Sequence, residues 1–340
     1  MEASSSHQES SVPLPCLVID HGGAGGEPRT TLLDISHGHH QYRPCENIDV
    51  LRRDRRRWVT PHGWVLSWDP STFSTFLWSP QTSEKIALPS LTQEMPMDSE
   101  CSLSDKPTSN SGFTVVVVEP AAADTVIWYC HVGGTAGSAG WVRHEYDLGS
   151  DMVPGVGGMM HIRRPITRLT ATTGGRFYFI KDMDELGVVE FSPDPVITSI
   201  KVPAVKRPPA MTSMAPVCVE LDGELYLVTA FLHSHLGVET SVLGGGVYRL
   251  DFAGRRWRRV RSVGDRAFLM CPSYFGGWCA ATASGLRPNC VYWMSPCHNL
   301  NNLLHVFDID GGNTVQVHDP FKGGVPGMNC NAVWMLPTHP

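Results

Sequence analysis

The 340 residues include 27 Lys and Arg against 33 Asp and Glu, so the formal net charge is −6, which disfavours nucleic acid as a partner. Hydrophobic residues make up 42% of the chain and charged residues 18%, a balance that predicts a folded core and excludes a disordered chain. The 33 Gly and 26 Pro favour many turns and few long helices.

Residues 1–13 are rich in Ser and have neither the apolar stretch of a secretory signal nor the arginines of a transit peptide. We expect them to form a disordered N-terminal tail. No apolar run reaches the length of a membrane span, so we expect no membrane partner and an intracellular protein, cytoplasmic, nuclear or both. The ten cysteines include no Cys-x-x-Cys pair and are predicted to be buried free thiols.

Short segments rich in β-branched and aromatic residues, bounded by Gly, Pro, Asp and Ser, predict strands along the whole chain. A unit of three strands recurs, and its first strands centre near residues 18, 66, 116, 178, 226 and 292, which are 48 to 66 residues apart. Second strands are predicted at 31–35, 75–79, 125–130, 187–192, 246–252 and 303–309. Third strands are predicted at 85–88, 141–146, 196–202, 256–261 and 314–317, and innermost fourth strands at 165–170, 217–220 and 266–270.

Three segments between these units receive other predictions. Residues 48–57 are a candidate short helix, 149–164 a Gly-rich loop that contains Met, and 272–289 an insertion. Trp257 follows the turn 252–255 and is predicted to pack between neighbouring repeats.

A repeat of this length with three or four strands is typical of propeller blades. We predict an all-β fold, a single β-propeller with six blades of four-stranded antiparallel sheet, and one domain over residues 14–337. The apolar run 332–336 follows the last unit, and we predict that it pairs with the N-terminal unit, so that the N- and C-terminal segments close the ring.

Several segments carry a resemblance to a known family. They are WVTPHGWVL (58–66), TFLWSP (75–80), KIALP (85–89), GELYLV (223–228), VYRLDF (247–252), VGDRAFL (263–269), NCVYW (289–293) and VFDI (306–309). Together they resemble the plant KIB-type β-propeller family, an F-box-associated domain of unknown function, and within it the grass-expanded branch. The resemblance extends over residues 15–336, and the GDRAF stretch is its most specific part.

The resemblance implies a non-enzymatic protein–protein interaction propeller, similar to the substrate-recognition part of F-box proteins and regulatory in role. Some relatives recognise a protein kinase, so the implied partner is a kinase or another regulatory protein. No F-box is visible before the first strand, and we therefore expect no direct Skp1 binding. Two alternatives stay open: a small-ligand or catalytic site in the central channel, and a truncated family member that lacks ubiquitin-ligase function.

The sequence predicts no catalytic, cofactor-binding or metal-binding residues and leaves the partner-binding residues unknown. His37, His39 and His40, with His62 or Cys45, could bind a metal ion, but a solvated loop is the preferred interpretation. The arginine run 52–57 fits either an acidic partner or a solvated face. Arg256 and Arg258 are predicted to share one face of an outer strand, and the glycines of 22–26 and 133–140 to form hairpin turns.

Overall fold

A computed structural model gives the fold. It describes residues 12–21, 29–38, 41–45, 48–51, 55–96, 98–107, 112–120, 124–133, 140–155, 158–172, 174–233, 241–271, 275–294, 303–319 and 331–338. Residues 1–11 of the predicted tail, His39, His40 and the glycines of 22–26 lie outside the described residues.

Six sheets form the blades, and the strands of each blade run from the innermost at the channel to the outermost. Blade 1 consists of β27 (Asn331–Met335), β1 (Cys16–His21), β2 (Arg29–Asp34) and β3 (Gln41–Pro44). Blade 2 consists of β4 (Arg56–Val59), β5 (Val65–Trp68), β6 (Thr75–Trp78) and β7 (Lys85–Leu88). Blade 3 consists of β8 (Glu100–Leu103), β9 (Phe113–Val118), β10 (Val126–Val132) and β11 (Val142–Glu145).

The second half of the ring follows the same plan. Blade 4 consists of β14 (Thr170–Thr172), β15 (Arg176–Asp182), β16 (Glu185–Phe191) and β17 (Pro195–Lys201). Blade 5 consists of β18 (Ser213–Leu221), β19 (Glu224–His233), β20 (Ser241–Asp251) and β21 (Arg256–Val260). Blade 6 consists of β23 (Phe275–Ala280), β22 (Arg266–Cys271), β24 (Cys290–Met294), β25 (Leu304–Asp308) and β26 (Thr314–His318).

Two further kinds of element lie outside the blades. A separate hairpin pairs β12 (Ser150–Gly155) with β13 (Gly158–Arg163). Short 3-10 turns occur at Ser36–Gly38, Asp49–Leu51 and Thr282–Ser284. No helix in the described part of the chain combines the length and apolarity of a membrane span.

The position of a strand in its blade explains its composition. Second strands such as β9 have neighbouring blades against both faces, so every residue of its Phe-Thr-Val-Val-Val-Val sequence is buried. Outer strands such as β21, Arg-Trp-Arg-Arg-Val, have only half-buried and exposed residues. Charged side chains on these outer edges oppose pairing with other chains.

The innermost strands close the ring. β27, β4, β8, β14 and β18 contact one another in that order, and in blade 6 β23 contacts β18 while β22 contacts β27. The C-terminal strand β27 pairs antiparallel with β1, with Cys16 opposite Met335 and Leu17 opposite Trp334. The predicted six-bladed propeller, closed by pairing of the N- and C-terminal segments, is confirmed.

The three segments between the repeat units differ from their predictions. Residues 149–164 form the hairpin β12–β13 rather than a loop, and 272–289 contain β23, a fifth strand at the inner edge of blade 6. Because of this strand, β22 runs parallel to β24. The helix predicted over 48–57 is, in its described parts, the 3-10 turn Asp49–Leu51 followed by the first residues of β4, since β4 must continue as the inner strand of blade 2.

The strand directions assign each loop to one end of the ring. In blades 2–5 successive strands are antiparallel, so the turn between the second and third strands lies at the same end as the connection to the next blade. We call this end the connection face. The hairpin β12–β13, the turn Asp182–Glu185 and the connection 202–212 all belong to it.

Candidate protein-binding site

A pocket of about 630 Å³ opens between blades 4 and 5, which we call the blade 4–5 pocket. Its walls come from both blades and from the connection that joins them. Most of its lining is apolar, and the apolar residues are Ile180, Met183, Leu186, Val202, Ala204, Val205, Met214, Pro216, Leu227 and Trp257. A concave, mainly apolar surface of this size is the usual form of a binding site in a folded domain.

Trp257 forms one wall of the pocket. It lies opposite Leu250 in the pairing of β20 with β21, and it packs against the buried cluster that includes Leu186 of blade 4. Since Trp257 is half-buried rather than covered, part of its ring faces the pocket. The prediction that Trp257 packs between blades is confirmed.

The charged groups at the rim fall into two sets. On the blade 4 side, Asp182 lies 3.7 Å from the Arg164 guanidinium and Glu185 lies 3.0 Å from the Lys181 ammonium. The Ser199 hydroxyl and Lys181 donate hydrogen bonds to Glu185, which lower the pKa of that carboxyl. These carboxylates are therefore already matched by cations of their own blade or of the adjoining connection.

The connection 202–212 carries two exposed cations: Arg207 lines the pocket, and Lys206 lies in the chain between the lining residues Val205 and Arg207. The Arg207 guanidinium donates to the Met211 carbonyl, a group without formal charge. Neither cation forms an ion pair with a carboxylate of the described residues. Each of the two carboxylates that line the pocket, Asp182 and Glu185, therefore has a cation beside it, whereas Lys206 and Arg207 have no carboxylate partner among the described residues.

The hairpin β12–β13 projects beside this pocket. Its strands pair Met152 with His161 and Val153 with Met160, so apolar side chains lie on both of its faces. Met152, Met159, Met160 and Ile162 are each about half exposed, with Met159 at 56%. In the described residues, neither hairpin strand pairs with a blade.

Arg164 links the base of the hairpin to the pocket rim. Its guanidinium contacts Asp151 of β12 at 2.5 Å and Asp182 of blade 4 at 3.7 Å. Met183, next to Asp182 in the turn, is 76% exposed. The hairpin methionines, Met183 and the pocket therefore form neighbouring parts of the connection face.

Glu100 holds the chain where it enters blade 4. Its carboxylate accepts a hydrogen bond from the Arg168 main-chain N–H, and the Arg168 guanidinium donates to the Pro216 carbonyl at 3.1 Å. Burial raises the pKa of Glu100 to about 7, although hydrogen bonds from Arg168 and Leu169 act in the opposite direction. This contact joins blades 3, 4 and 5 below the hairpin.

The opposite end of the ring collects titratable groups from several blades. Burial lowers the pKa of His62, which follows β4, and the charges of Asp105 and Lys106 of blade 3 act on the same ring. Burial raises the pKa of Glu220 of blade 5, and Asp105 and Lys106 act on this carboxyl too. Asp222, next to Glu220, pairs with Arg266 of blade 6 at 3.1 Å.

Comparison with known proteins identifies the family. The model of the KIB1-4 beta-propeller family matches residues 33–319, most of the chain. The chain belongs to the KIB1-4 beta-propeller family. The resemblance to KIB-type propellers noted in the sequence is thereby confirmed, and the described sheets supply the six blades of the propeller.

Two solved structures that are similar to this KIB1-4 propeller share little sequence with it. Apo AztD from Citrobacter koseri is 9% identical, with 96% of this chain and 99% of that chain covered and a TM-score of 0.34. An ACO mutant from Synechocystis is 10% identical, with 97% and 80% covered and a TM-score of 0.33. None of the curated proteins compared matches the chain significantly.

The KIB1-4 propeller separates the residues considered for a metal site. His37 donates its main-chain N–H to Gly285 of blade 6, His62 lies near Leu103 of blade 3, and the Cys45 thiol donates to the Thr30 carbonyl. Within the described ranges, no group of three or more His, Cys, Asp or Glu side chains is arranged to hold a metal ion. The eight described cysteines are free and buried, as predicted.

The described arginines of the run 52–57 lie at contacts inside the KIB1-4 propeller. Arg55 pairs with Asp49 at 3.4 Å, Arg56 with Glu94, and Arg57 with Asp20 at 2.6 Å. Arg256 and Arg258 both contact Asp251, as expected for residues on one face of β21.

The sequence did not reveal the blade 4–5 pocket, because its lining residues come from distant segments of the chain. Trp257 is the one residue of the pocket for which the sequence predicted a packing role. The Met content of residues 149–164 was the available sign of the exposed hairpin.

Proposed function

We propose that this KIB1-4 propeller is a non-enzymatic module that binds a protein partner through the connection face of blades 3–5. The observation that carries the proposal is the continuity of the hairpin methionines, Met183 and the blade 4–5 pocket. Exposed apolar surface next to a pocket is characteristic of interaction sites. Methionine side chains are flexible and polarisable, so they adapt well to a partner surface.

The class of partner is proposed from the family rather than from the pocket. KIB-type relatives that recognise a kinase suggest a kinase or another regulatory protein for this chain. The buried free thiols favour a reducing compartment, the cytoplasm or the nucleus. A fluorescent fusion imaged in plant cells tests this compartment, and accumulation in the secretory pathway would contradict it.

Site-specific photo-crosslinking tests the proposed face. A benzophenone amino acid replaces Met160 or Met183 on the connection face, and Phe252 in the β20–β21 turn at the other end of blade 5 serves as the matched exposed control. We expect the same partner to be cross-linked from Met160 and Met183 in plant cells and not from Phe252. Cross-linking from Phe252 alone would contradict the assignment of the face.

The cross-linked samples also test the ubiquitin-ligase role. Blotting for Skp1 and a cullin shows whether the protein joins a ubiquitin ligase. We expect the cross-linked partner without Skp1. Recovery of Skp1 would restore a ligase role and exclude the truncated-member alternative.

A second candidate is a small-ligand site at the other end of the channel. It is favoured by the electrostatic coupling of His62, Asp105, Lys106 and Glu220, which come from three blades. A thermal-shift screen of small charged metabolites tests it. A ligand that raises the melting temperature of the wild type but not of His62→Gln would support this site, and the absence of any such ligand would reject it.

A further inference from the structure

We infer that the blade 4–5 pocket recognises a partner segment in which a large apolar side chain is flanked by acidic residues. This inference rests on the proposed protein-binding function and adds the chemistry of the bound segment. The apolar side chain enters the pocket, and the acidic residues face Lys206 and Arg207.

The apolar part follows from the lining. Leu186 and Leu227 are buried and form the deeper wall, Trp257 and Met214 are half-buried, and Met183 is exposed at the rim. The volume of about 630 Å³ exceeds the lower limit of about 300 Å³ for ligand pockets, so it admits a bulky side chain together with part of its main chain. Two flexible methionines beside a rigid Trp allow a Leu, Met or Phe anchor.

The acidic part follows from the balance of charges at the rim. Asp182 shares the Arg164 guanidinium with Asp151, and Glu185 pairs with Lys181. Lys201 adds a further positive charge near Glu185, and it helps to lower the pKa of that carboxyl.

Once these pairs are set aside, Lys206 and Arg207 remain without a carboxylate partner in the described chain. Asp184 is the one carboxylate of the turn Asp182–Glu185 that has no ion pair with a described side chain. Lys206 and Arg207 outnumber Asp184 among these unpaired groups, so the net unmatched charge beside the pocket is positive, on a protein whose net charge is −6. Such local complementarity selects the partner and orients it at the surface.

Selection from a random peptide library provides the test. The full-length protein is immobilised and presented with a phage-displayed library of random twelve-residue peptides. We expect enriched sequences to contain a Leu, Met or Phe with Asp or Glu beside it. Fluorescence anisotropy then measures the affinity of the most enriched peptide and of two derivatives, one with Ala in place of the anchor and one with Lys in place of each acid.

Two variants locate the binding. K206E/R207E reverses the basic rim, and K85E/R287E changes the net charge equally at exposed positions of blades 2 and 6. Ala204→Trp obstructs the pocket from an exposed position, and Ala87→Trp is the matched control on β7. We expect K206E/R207E and Ala204→Trp each to weaken binding about tenfold or more, and both controls to bind like the wild type.

Enrichment of basic or uncharged peptides, absence of any enrichment, or equal binding by K206E/R207E would overturn the inference. The proposed function has a separate readout in photo-crosslinking at Met160 and Met183. A partner cross-linked there, combined with a library that yields no acidic motif, would reject the recognition chemistry and leave the proposed function standing. Loss of both signals would reject both.

Discussion

At the scale of single residues, Glu100 makes the stability of the protein depend on pH. Its pKa is about 7 in the folded state, above the ordinary value of 4.5, because the carboxyl is buried. The folded state therefore binds the proton more tightly than the unfolded state, and the stability present below about pH 4.5 declines as the pH rises through 7. At about 1.4 kcal/mol per pKa unit, the loss at pH 8 is about 3 kcal/mol.

Glu100→Gln keeps an acceptor oxygen for the Arg168 N–H and carries no charge. We expect urea denaturation to give the variant and the wild type equal stability near pH 4.5, and the variant an advantage of about 2–3 kcal/mol near pH 8. Glu145→Gln, in an exposed pair with Arg143, is the control and changes stability by less than about 0.5 kcal/mol. An advantage of Glu100→Gln that is the same at both pH values would contradict this account.

Gly187 leaves room for an aromatic ring. It lies opposite Phe179 in the pairing of β15 with β16, and a methyl group at Gly187 would overlap with that ring. We expect Gly187→Ala to lower the free energy of unfolding by about 1–3 kcal/mol, measured by urea denaturation. Gly140→Ala, where no atom of the described residues other than the chain neighbours lies within 4 Å of the added carbon, changes it by less than about 0.5 kcal/mol. Equal effects would show that Phe179 does not require the glycine.

At the scale of elements, an ion pair joins blade 2 to blade 1. Arg57 of β4 is nearly buried and contacts Asp20 of β1 at 2.6 Å, while Thr30 of β2 donates to the same carboxylate at 2.6 Å. Removing the arginine leaves Asp20 without its cation at a half-buried position. We expect Arg57→Met to cost about 1–3 kcal/mol in urea denaturation, and Asp20→Asn/Arg57→Met to cost less than the sum of the single changes.

Arg176 and Glu190 provide a matched exposed pair, 2.6 Å apart on blade 4. Arg176→Met is expected to change stability by less than about 0.5 kcal/mol, because solvent screens this pair. Strict additivity of the Asp20 and Arg57 changes would show that the two side chains do not stabilise each other.

The strands differ in how well the sequence predicts them. Buried strands such as β9 and β15 have apolar, β-branched or aromatic residues along most of their length, and both contain the centres predicted for them, near residues 116 and 178. β3, with four exposed residues, was missed because its sequence, Gln-Tyr-Arg-Pro, has no apolar alternation. The hairpin β12–β13 was assigned as a loop because Gly and Pro interrupt its apolar residues.

At the scale of the whole molecule, the repeat predicts the ring but not the site. The spacing of the strand units predicted six blades, and the apolar run at the C-terminal end predicted the pairing of β27 with β1. The blade 4–5 pocket depends on the distance between Leu186, Met214 and Trp257, which lie on three strands of two blades. No local pattern encodes such a distance, so the pocket required the packing of the blades to be known.

Closure of the ring predicts that the propeller unfolds as one unit. Trp334 of β27 is fully buried, and its indole N–H donates to the Met270 carbonyl of blade 6 at 3.2 Å, so one side chain joins the two blades where the chain ends meet. We expect Trp334→Ala to lower the free energy of unfolding by about 3–5 kcal/mol. Trp257→Ala, which truncates a half-buried ring at an open pocket, is expected to cost less, about 1–2 kcal/mol.

Urea unfolding followed by both far-ultraviolet circular dichroism and tryptophan fluorescence provides the measurement. Coincident curves are expected for the wild type and for both variants. Each blade buries its faces only against its neighbours, so the loss of one blade from the ring destabilises the blades on either side and the whole propeller unfolds together. A separate early transition in Trp334→Ala would show that blades 1 and 6 unfold independently of the others. A smaller decrease in the free energy of unfolding for Trp334→Ala than for Trp257→Ala would show that the main stabilising contact is not at the ring closure.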